Sequence, residues 1–377
     1  MKIRNIITGS EFRIILIPCV VYLLGYALFS YVKFSTGYIN VLGLFVFLYV
    51  PLFSSFVIYI SFSLDYMRDI PRSNKFASLI NFCSYALPVI LLIDRFPDIY
   101  HYIFLGGFDV RGMIYFGRGF SIIGQLSLFF SFIYVYTIVS YNKYFSVVFF
   151  IVVSMVLGNR QPLLFFGALI IVNFLINSSW RYVRWRVYFG VLFFIALAVL
   201  YQFFRTGFSS GFIDGLLIMS GQDGGVINAI MGLLTIYFPN PTVFSLMYGY
   251  IDIDNFQPFL YSNKVIRDFL YSPHEIQMSM ETIQNTVNSA TNAFGRQWAS
   301  GFLQFYFDLG YLGMAIYSIL IFLMSFLSRS NKVLVTIFVS FVLMNLFITP
   351  FRDMLVFLII FSVSLIEFGF YCIKNSD

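Results

Sequence analysis

Charge is scarce in this sequence. Asp, Glu, Lys and Arg make up only 11% of its 377 residues, where soluble domains average about a quarter. That shortage excludes an ordinary soluble enzyme, a charged disordered tail and a nucleic-acid-binding module. Cysteine is also rare: Cys19, Cys83 and Cys372 lie in or beside apolar runs without metal-type spacing, so a disulfide scaffold is excluded. His101 and His274 are the only histidines and fall in different loops. Neither a metal centre nor a cofactor is expected. Asp252 and Asp254 could supply oxygen ligands but read better as a solvated turn. GxxxxGK[ST], HExxH and CxxC are all missing, and Gly221-Gln222-Asp223-Gly224-Gly225 has no preceding strand, so it reads as a turn.

Apolar and aromatic residues are abundant. Hydrophobic residues make up 60% of the chain, and it holds 50 Phe and 27 Tyr. They fall in runs near the ~20 residues needed to cross hydrocarbon as a helix. The runs are roughly 14–32, 38–64, 76–93, 119–140, 144–158, 162–178, 187–204, 301–327, 333–350 and 354–373. The expected fold is an all-α polytopic membrane protein of about ten spans. The aromatics are spread over every run, which assigns them to core packing and lipid contact. The first run follows a basic start and has no A-x-A-like cleavage site after it, so it reads as a retained helix rather than a signal peptide. Pro162 and the Gly158-Asn159-Arg160 break turn 144–178 into a tight hairpin rather than one long helix.

Orientation follows from Lys and Arg in short loops. With the N-terminus inside and strict alternation, 13 of the 23 basic residues but only five of the 17 acidic ones fall on cytoplasmic segments. The inner side then carries +8 and the outer side −2, which together give the net +6. Both termini are cytoplasmic in this arrangement. The segment Arg181-Tyr182-Val183-Arg184-Trp185-Arg186 is then a membrane anchor, not a nucleic-acid patch. The chain divides into an N-terminal bundle (1–204), a large outer loop (205–300) and a C-terminal bundle (301–377). Within the loop, 226–250 is semi-apolar but broken by Pro239 and Pro241, so a re-entrant or interfacial helix is expected there.

The spans themselves are nearly bare of charge, unlike those of ion-coupled carriers. Asp308, near the outer end of the eighth run, and Glu367, toward the inner end of the last, are the exceptions. The outer edge instead collects arginines: Arg160, Arg205, Arg296 and Arg352, with Arg111 and Arg118 in the smaller outer loop. These run against the orientation bias. A guanidinium fork pairs bidentately with a diphosphate and keeps its charge near lipid. Such a ring could stabilise a departing diphosphate at the membrane surface. Snorkelling, or pairing with a nearby acid such as Asp353 beside Arg352, is the plainer explanation for any single arginine. The candidate catalytic residues are His274 (with Glu275), Asp308 and Arg296. Either His274 or Asp308 could act as base toward a hydroxyl. The plainer alternatives are a surface histidine and a helix-start acid favoured by the dipole.

Two local runs carry a family resemblance. One is Gly158-Asn159-Arg160-Gln161-Pro162-Leu163-Leu164. The other is Asn292-Ala293-Phe294-Gly295 followed by Phe305-Tyr306-Phe307-Asp308-Leu309-Gly310-Tyr311-Leu312-Gly313. With the late outer loop and the edge arginines, they resemble the bacterial O-antigen polymerases, the Wzy-type oligosaccharide repeat-unit polymerases. The resemblance implies a GT-C-like membrane fold in the bacterial inner membrane and a metal-independent glycosyl transfer at the outer face. The substrates it implies are undecaprenyl-diphosphate-linked oligosaccharides within the lipid bilayer, with a chain-length regulator and a flippase as further partners and no nucleic acid. In that scheme Arg160, Arg205 and Arg352 hold the diphosphates, and His274 or Asp308 orients or deprotonates the acceptor hydroxyl. The related O-antigen ligases often carry a histidine close to the next helix, whereas His274 lies farther off. A ligase and a lipid-linked oligosaccharide flippase are the competing readings. The absence of an internal repeat and the long 205–300 loop weigh against the flippase.

Overall fold

A computed structural model describes residues 9–31, 40–63, 74–100, 126, 130–156, 161–177, 258, 260, 264–276, 278, 301–328, 331–346 and 354–374. Among these, regular structure is helical. The helices are α1 (Gly9–Tyr31), α2 (Val41–Phe62), α3 (Asn74–Tyr100), α4 (Ile133–Val139, entered through a 3-10 turn at Phe130–Phe132), α5 (Phe145–Val156) and α6 (Gln161–Asn177). They continue with α7 (Lys264–Leu270), α8 (Gly301–Ser328), α9 (Lys332–Asn345) and α10 (Met354–Lys374). Gly43–Phe62, Phe76–Pro97 and Phe302–Ser328 are long and apolar enough to cross a membrane. The expected runs at 187–204 and 226–250 lie outside the described residues.

The pattern of burial identifies the solvent around these helices. On α1, Ile14, Val21 and Tyr22 are buried, at helical spacing. The opposite face carries Phe12, Leu16, Val20, Leu23 and Leu24, all exposed. Both faces are apolar, so the outward one suits hydrocarbon rather than water. On α3 the outward residues are Leu79, Phe82, Val89, Ile93 and Phe96. The protein is therefore a helical, membrane-embedded one. Hydroxyls inside the helices bond back along the ladder, as Ser61 Oγ does to Val57 O (2.8 Å) and Thr137 Oγ1 to Ile133 O (3.0 Å). This keeps polar groups satisfied where water is absent.

Neighbouring helices run antiparallel. Cys19 Sγ meets Ser55 Oγ at 3.5 Å while Tyr22 and Tyr26 meet Phe47, which opposes α1 to α2. Phe150 packs on Phe166 and Tyr144 on Phe174, which closes the expected hairpin of α5 and α6. Pro162, the second residue of α6, sits where a missing N–H costs nothing. Asn173 on α6, fully buried, donates to Ile138 O (3.0 Å), Asn142 Oδ1 (3.1 Å) and Tyr144 Oη (3.1 Å), fixing the α4–α5 turn. Asn142 takes φ 52° in that turn, a left-handed conformation that asparagine tolerates.

Helix α9 is the axis of the bundle. It packs on α2, α4, α6, α8 and α10, and every residue but Lys332 and Leu334 is buried. At 14 residues it is about 21 Å long, short for a lipid-facing span. A helix enclosed by protein need not match the hydrocarbon thickness. Asn331 caps it, accepting from Val333 N at 2.8 Å, and donates to Glu367 of α10. Glu367, the carboxylate of the last run, is thus a buried partner of a helix cap. Because α9 meets α4 and α6 while α8 meets α2, helices from 1–204 and 301–377 share one core.

Helix α1 begins at Gly9, five residues before its expected start, and two further boundaries differ more. Helix α3 continues through Asp94, Arg95 and Pro97 to Tyr100, seven residues past the expected end. A charged turn extends a helix readily once it leaves the hydrocarbon, and charge therefore marks the membrane edge rather than the helix end. The second difference, in α8, forms the site.

Candidate functional site

The eighth run was expected to be one straight span. Instead α8 breaks after Asp308, at Leu309 (φ −140°, ψ 16°) and Gly310 (φ 62°, ψ −145°). Fifteen residues of straight helix would separate Phe302 from Tyr317 by about 22 Å, yet their ring centroids are 4.8 Å apart. Phe305 stacks on the same tyrosine at 4.6 Å. The chain therefore doubles back: a short limb, 301–308, lies along the beginning of a longer one, 311–328. Hydropathy cannot reveal this turn, because both limbs are apolar.

Two glycines make the turn possible. The φ and ψ of Gly310 suit a residue without Cβ. Gly313 lets the limbs touch: a Cβ there would overlap the Phe305 carbonyl oxygen and come within 2.7 Å of its carbon. The hairpin is seated on α2, where Phe53 meets Phe302 edge-on at 5.8 Å and Tyr49 Oη bonds Ser318 Oγ at 2.7 Å.

Asp308 closes the short limb and is 1% exposed. It shares a face with Gln304, four residues earlier and also buried. Asp308 is thus a buried acid at a helix break that immediately precedes the second limb, rather than an acid in the first turn of an unbroken helix.

Part of the large loop lies within electrostatic range of Asp308. Tyr271, just after α7, donates to Pro258 O at 2.9 Å. Its hydroxyl pKa is raised by burial, then by the nearby carboxylates of Asp308 and, less strongly, Glu275. Tyr271 N also bonds Arg267 O at 2.9 Å, one helical turn back. Arg267 is buried, and its Nε and Nη2 both lie 2.8 Å from Asp268 Oδ1. Sequence reasoning passed over Arg267 and Tyr271. The signal it could have used is their spacing of four, which puts an arginine and a tyrosine on one face of a short helix.

His274 is exposed in the turn after Tyr271. Its neighbour Glu275 belongs to a capping box: Ser272 N and Oγ each lie 2.8 Å from Glu275 Oε2, and Glu275 N donates to Ser272 Oγ at 3.3 Å. Pro273 fits the first helical position. These bonds from Ser272, backbone first, hold the Glu275 carboxyl below its ordinary 4.5. A depressed carboxyl pKa means that the cap's contribution is present above the unfolded value and lost as pH falls through the folded one. The protection of residues 272–276 against hydrogen exchange, taken relative to the intrinsic rate at each pH, should therefore fall below pH 4.5. Glu275→Gln, which still accepts the Ser272 bonds, should keep these amides protected, and Glu275→Ala should expose them. A Glu275→Gln protein without activity would instead give Glu275 a chemical role.

Of the expected site residues, Asp308 and His274 are described; Tyr271, three residues before His274, feels the charge of Asp308. Arg160, Arg205, Arg296 and Arg352 lie outside the described residues, as do Arg111 and Arg118. Among the described residues no group of three His, Cys, Asp or Glu could hold a metal ion. No family model, curated protein or solved structure matches the chain.

Proposed function

We propose that this chain is a glycan polymerase acting on polyprenyl-diphosphate-linked oligosaccharides at the outer face of the bacterial cytoplasmic membrane, with both termini inside. The observation that carries the reading is the α8 hairpin. The run that resembles the polymerase family, Phe305–Gly313, contains both the break and its buried acid. A segment of the large loop lies close enough for that acid to raise the Tyr271 pKa.

In the proposed reaction the acceptor sugar's hydroxyl attacks the anomeric carbon of the growing chain. The bond from that carbon to the diphosphate breaks as the glycosidic bond forms. Asp308 or His274 takes the hydroxyl proton, Arg296 is the third candidate catalytic residue, and the departing polyprenyl diphosphate carries away the bonding electrons. Arg160, Arg205 and Arg352 balance its charge. The donor already holds the activated bond, so the scheme needs no nucleotide sugar and no metal. A chain-length regulator and a flippase are the expected partners.

Deleting the gene should leave surface glycans of a single repeat unit. Arg160→Ala at normal protein level should do the same, read as loss of the ladder on a glycan gel. Long chains in the Arg160→Ala strain would remove that arginine from the site. Normal chain length with lost attachment in the deletion strain would favour a ligase instead.

A further inference from the structure

A groove of about 510 Å³ runs along the outward face of α3, with Ser78, Asn81, Phe82, Tyr85, Val89 and Ile90 among its lining residues. These positions recur at helical spacing over about 18 Å of helix, slightly more than half of the ~30 Å hydrocarbon thickness of a bilayer. The groove changes character along its length. It begins at the polar Ser78 and Asn81 and continues over apolar residues, of which Phe82 and Val89 are exposed. A cation stands at the polar end: Lys143, in the α4–α5 turn, donates from Nζ to Asn81 Oδ1 at 2.8 Å. Its backbone N donates to Thr137 O at 2.9 Å, within the turn that Asn173 fixes. Phe145, the first residue of α5, is exposed and meets Tyr85 with ring centroids 6.4 Å apart.

An ammonium has three donors, and Asn81 takes one of them. Among the described residues no carboxylate pairs with Lys143. Cation, polar groups and apolar stripe follow one another in the order of a phospholipid read from headgroup to tail. The same face of α3 carries the exposed Leu79 and Ile93, so the groove opens toward hydrocarbon rather than water. We infer that the α3 groove binds an anionic phospholipid of the surrounding membrane: Lys143 holds its phosphate, and the stripe from Phe82 to Ile90 holds an acyl chain. Charge selects the anionic class, because a zwitterionic headgroup would bring a second cation next to the lysine. In the orientation proposed above this is a lipid of the cytoplasmic leaflet, where anionic headgroups attract basic residues. The inference uses no residue of the proposed reaction and stands or falls apart from it.

Photolabelling tests it. The full chain in nanodiscs of phosphatidylcholine receives a trace of phosphatidylglycerol with a diazirine on one acyl chain, or of phosphatidylcholine with the same diazirine chain. Labelled peptides are read by mass spectrometry. The phosphatidylglycerol probe should label residues 78–90 about fivefold more than the phosphatidylcholine probe, as expected of one lysine beside an anionic headgroup. Lys143→Gln should abolish that preference, while its amide can still donate to Asn81 and keep the turn in place. Lys332→Gln, at the start of α9, removes a basic residue elsewhere and should leave the preference unchanged. Equal labelling of 78–90 by the two probes in the wild-type chain overturns the inference, and this comparison requires no variant to fold. Absence of label there from either probe overturns it as well, since protein, such as a second copy of the chain, would then cover the groove. A preference that survives Lys143→Gln, or that is lost equally in Lys332→Gln, also overturns it, because the lysine would then not select the lipid.

Discussion

Gly313→Ala destabilises the protein by about 3 kcal/mol or more, at the upper end of overpacking costs, while Gly369→Ala leaves stability unchanged within about 0.5 kcal/mol. The contrast follows from what a new methyl group meets. At Gly369, on α10, an added Cβ has nothing within 4 Å. At Gly313 it meets the backbone carbonyl of Phe305, carbon as well as oxygen. Backbone cannot move aside as a flexible side chain can, so the two limbs of α8 must separate. Separation would pull Phe302 and Phe305 off Tyr317 and Phe302 off Phe53, undoing the aromatic cluster that seats the hairpin on α2. The measurement is the midpoint of thermal unfolding in detergent for both variants, with fluorescence-detected size exclusion to follow the folded fraction. An equal midpoint for Gly313→Ala and wild type would mean that the limbs do not touch there. Gly310→Ala adds a smaller cost, about 1–3 kcal/mol for holding a residue with Cβ at its φ and ψ.

The membrane character of the chain was legible in the sequence because it is a bulk property. Long apolar runs with charge at their ends produce helices whatever their neighbours do, and α2, α3 and the α5–α6 hairpin fall near their expected places. The fate of α8 was hidden for the opposite reason. Its reversal depends on two glycines three residues apart, Gly310 and Gly313, inside a run that reads as continuous. One supplies a backbone conformation and the other removes a steric obstacle. Neither effect changes hydropathy. The enclosure of α9 was equally hidden, since an apolar helix facing protein and one facing lipid have the same composition. Here only the buried Thr336, Ser340 and Asn345 on one short helix hint that protein surrounds it.

The site was legible in part. Asp308 could be singled out because a carboxylate in an apolar run is costly unless something holds it. Glu275 could have been recognised as a cap from Ser272-Pro273-His274-Glu275 alone, since Ser-x-x-Glu with proline at the first helical position is the sequence form of that box. Arg267 was harder. Its neighbour Asp268 suggests a solvated ion pair, and only packing distinguishes the buried arginine from its exposed partner. The partners of a buried amide such as that of Asn345 have no sequence signature, because they depend on what the fold brings to it.

Asp308→Asn should lower the proposed polymerisation by about 10²–10⁴-fold, the range for removing a positioned general base, with the unfolding midpoint close to wild type. The substitution is nearly isosteric and removes the carboxylate's capacity to take a proton, so it separates chemistry from packing. Asp308→Ala would not, because it also empties a buried site. The assay is chain growth from a purified lipid-linked repeat unit in reconstituted membranes. It is paired with the titration of Tyr271, whose pKa the Asp308 carboxylate helps to raise. In Asp308→Asn that pKa should fall toward its ordinary value of 10.0, because one of the negative charges opposing phenolate formation is gone. A fall in the Tyr271 pKa without loss of polymerisation would keep the acid beside the loop but move the proton-accepting role to His274. Loss of polymerisation with Tyr271 unmoved would leave Asp308 essential but separate it from the loop. Only both changes together support a base that works where the large loop meets the α8 hairpin.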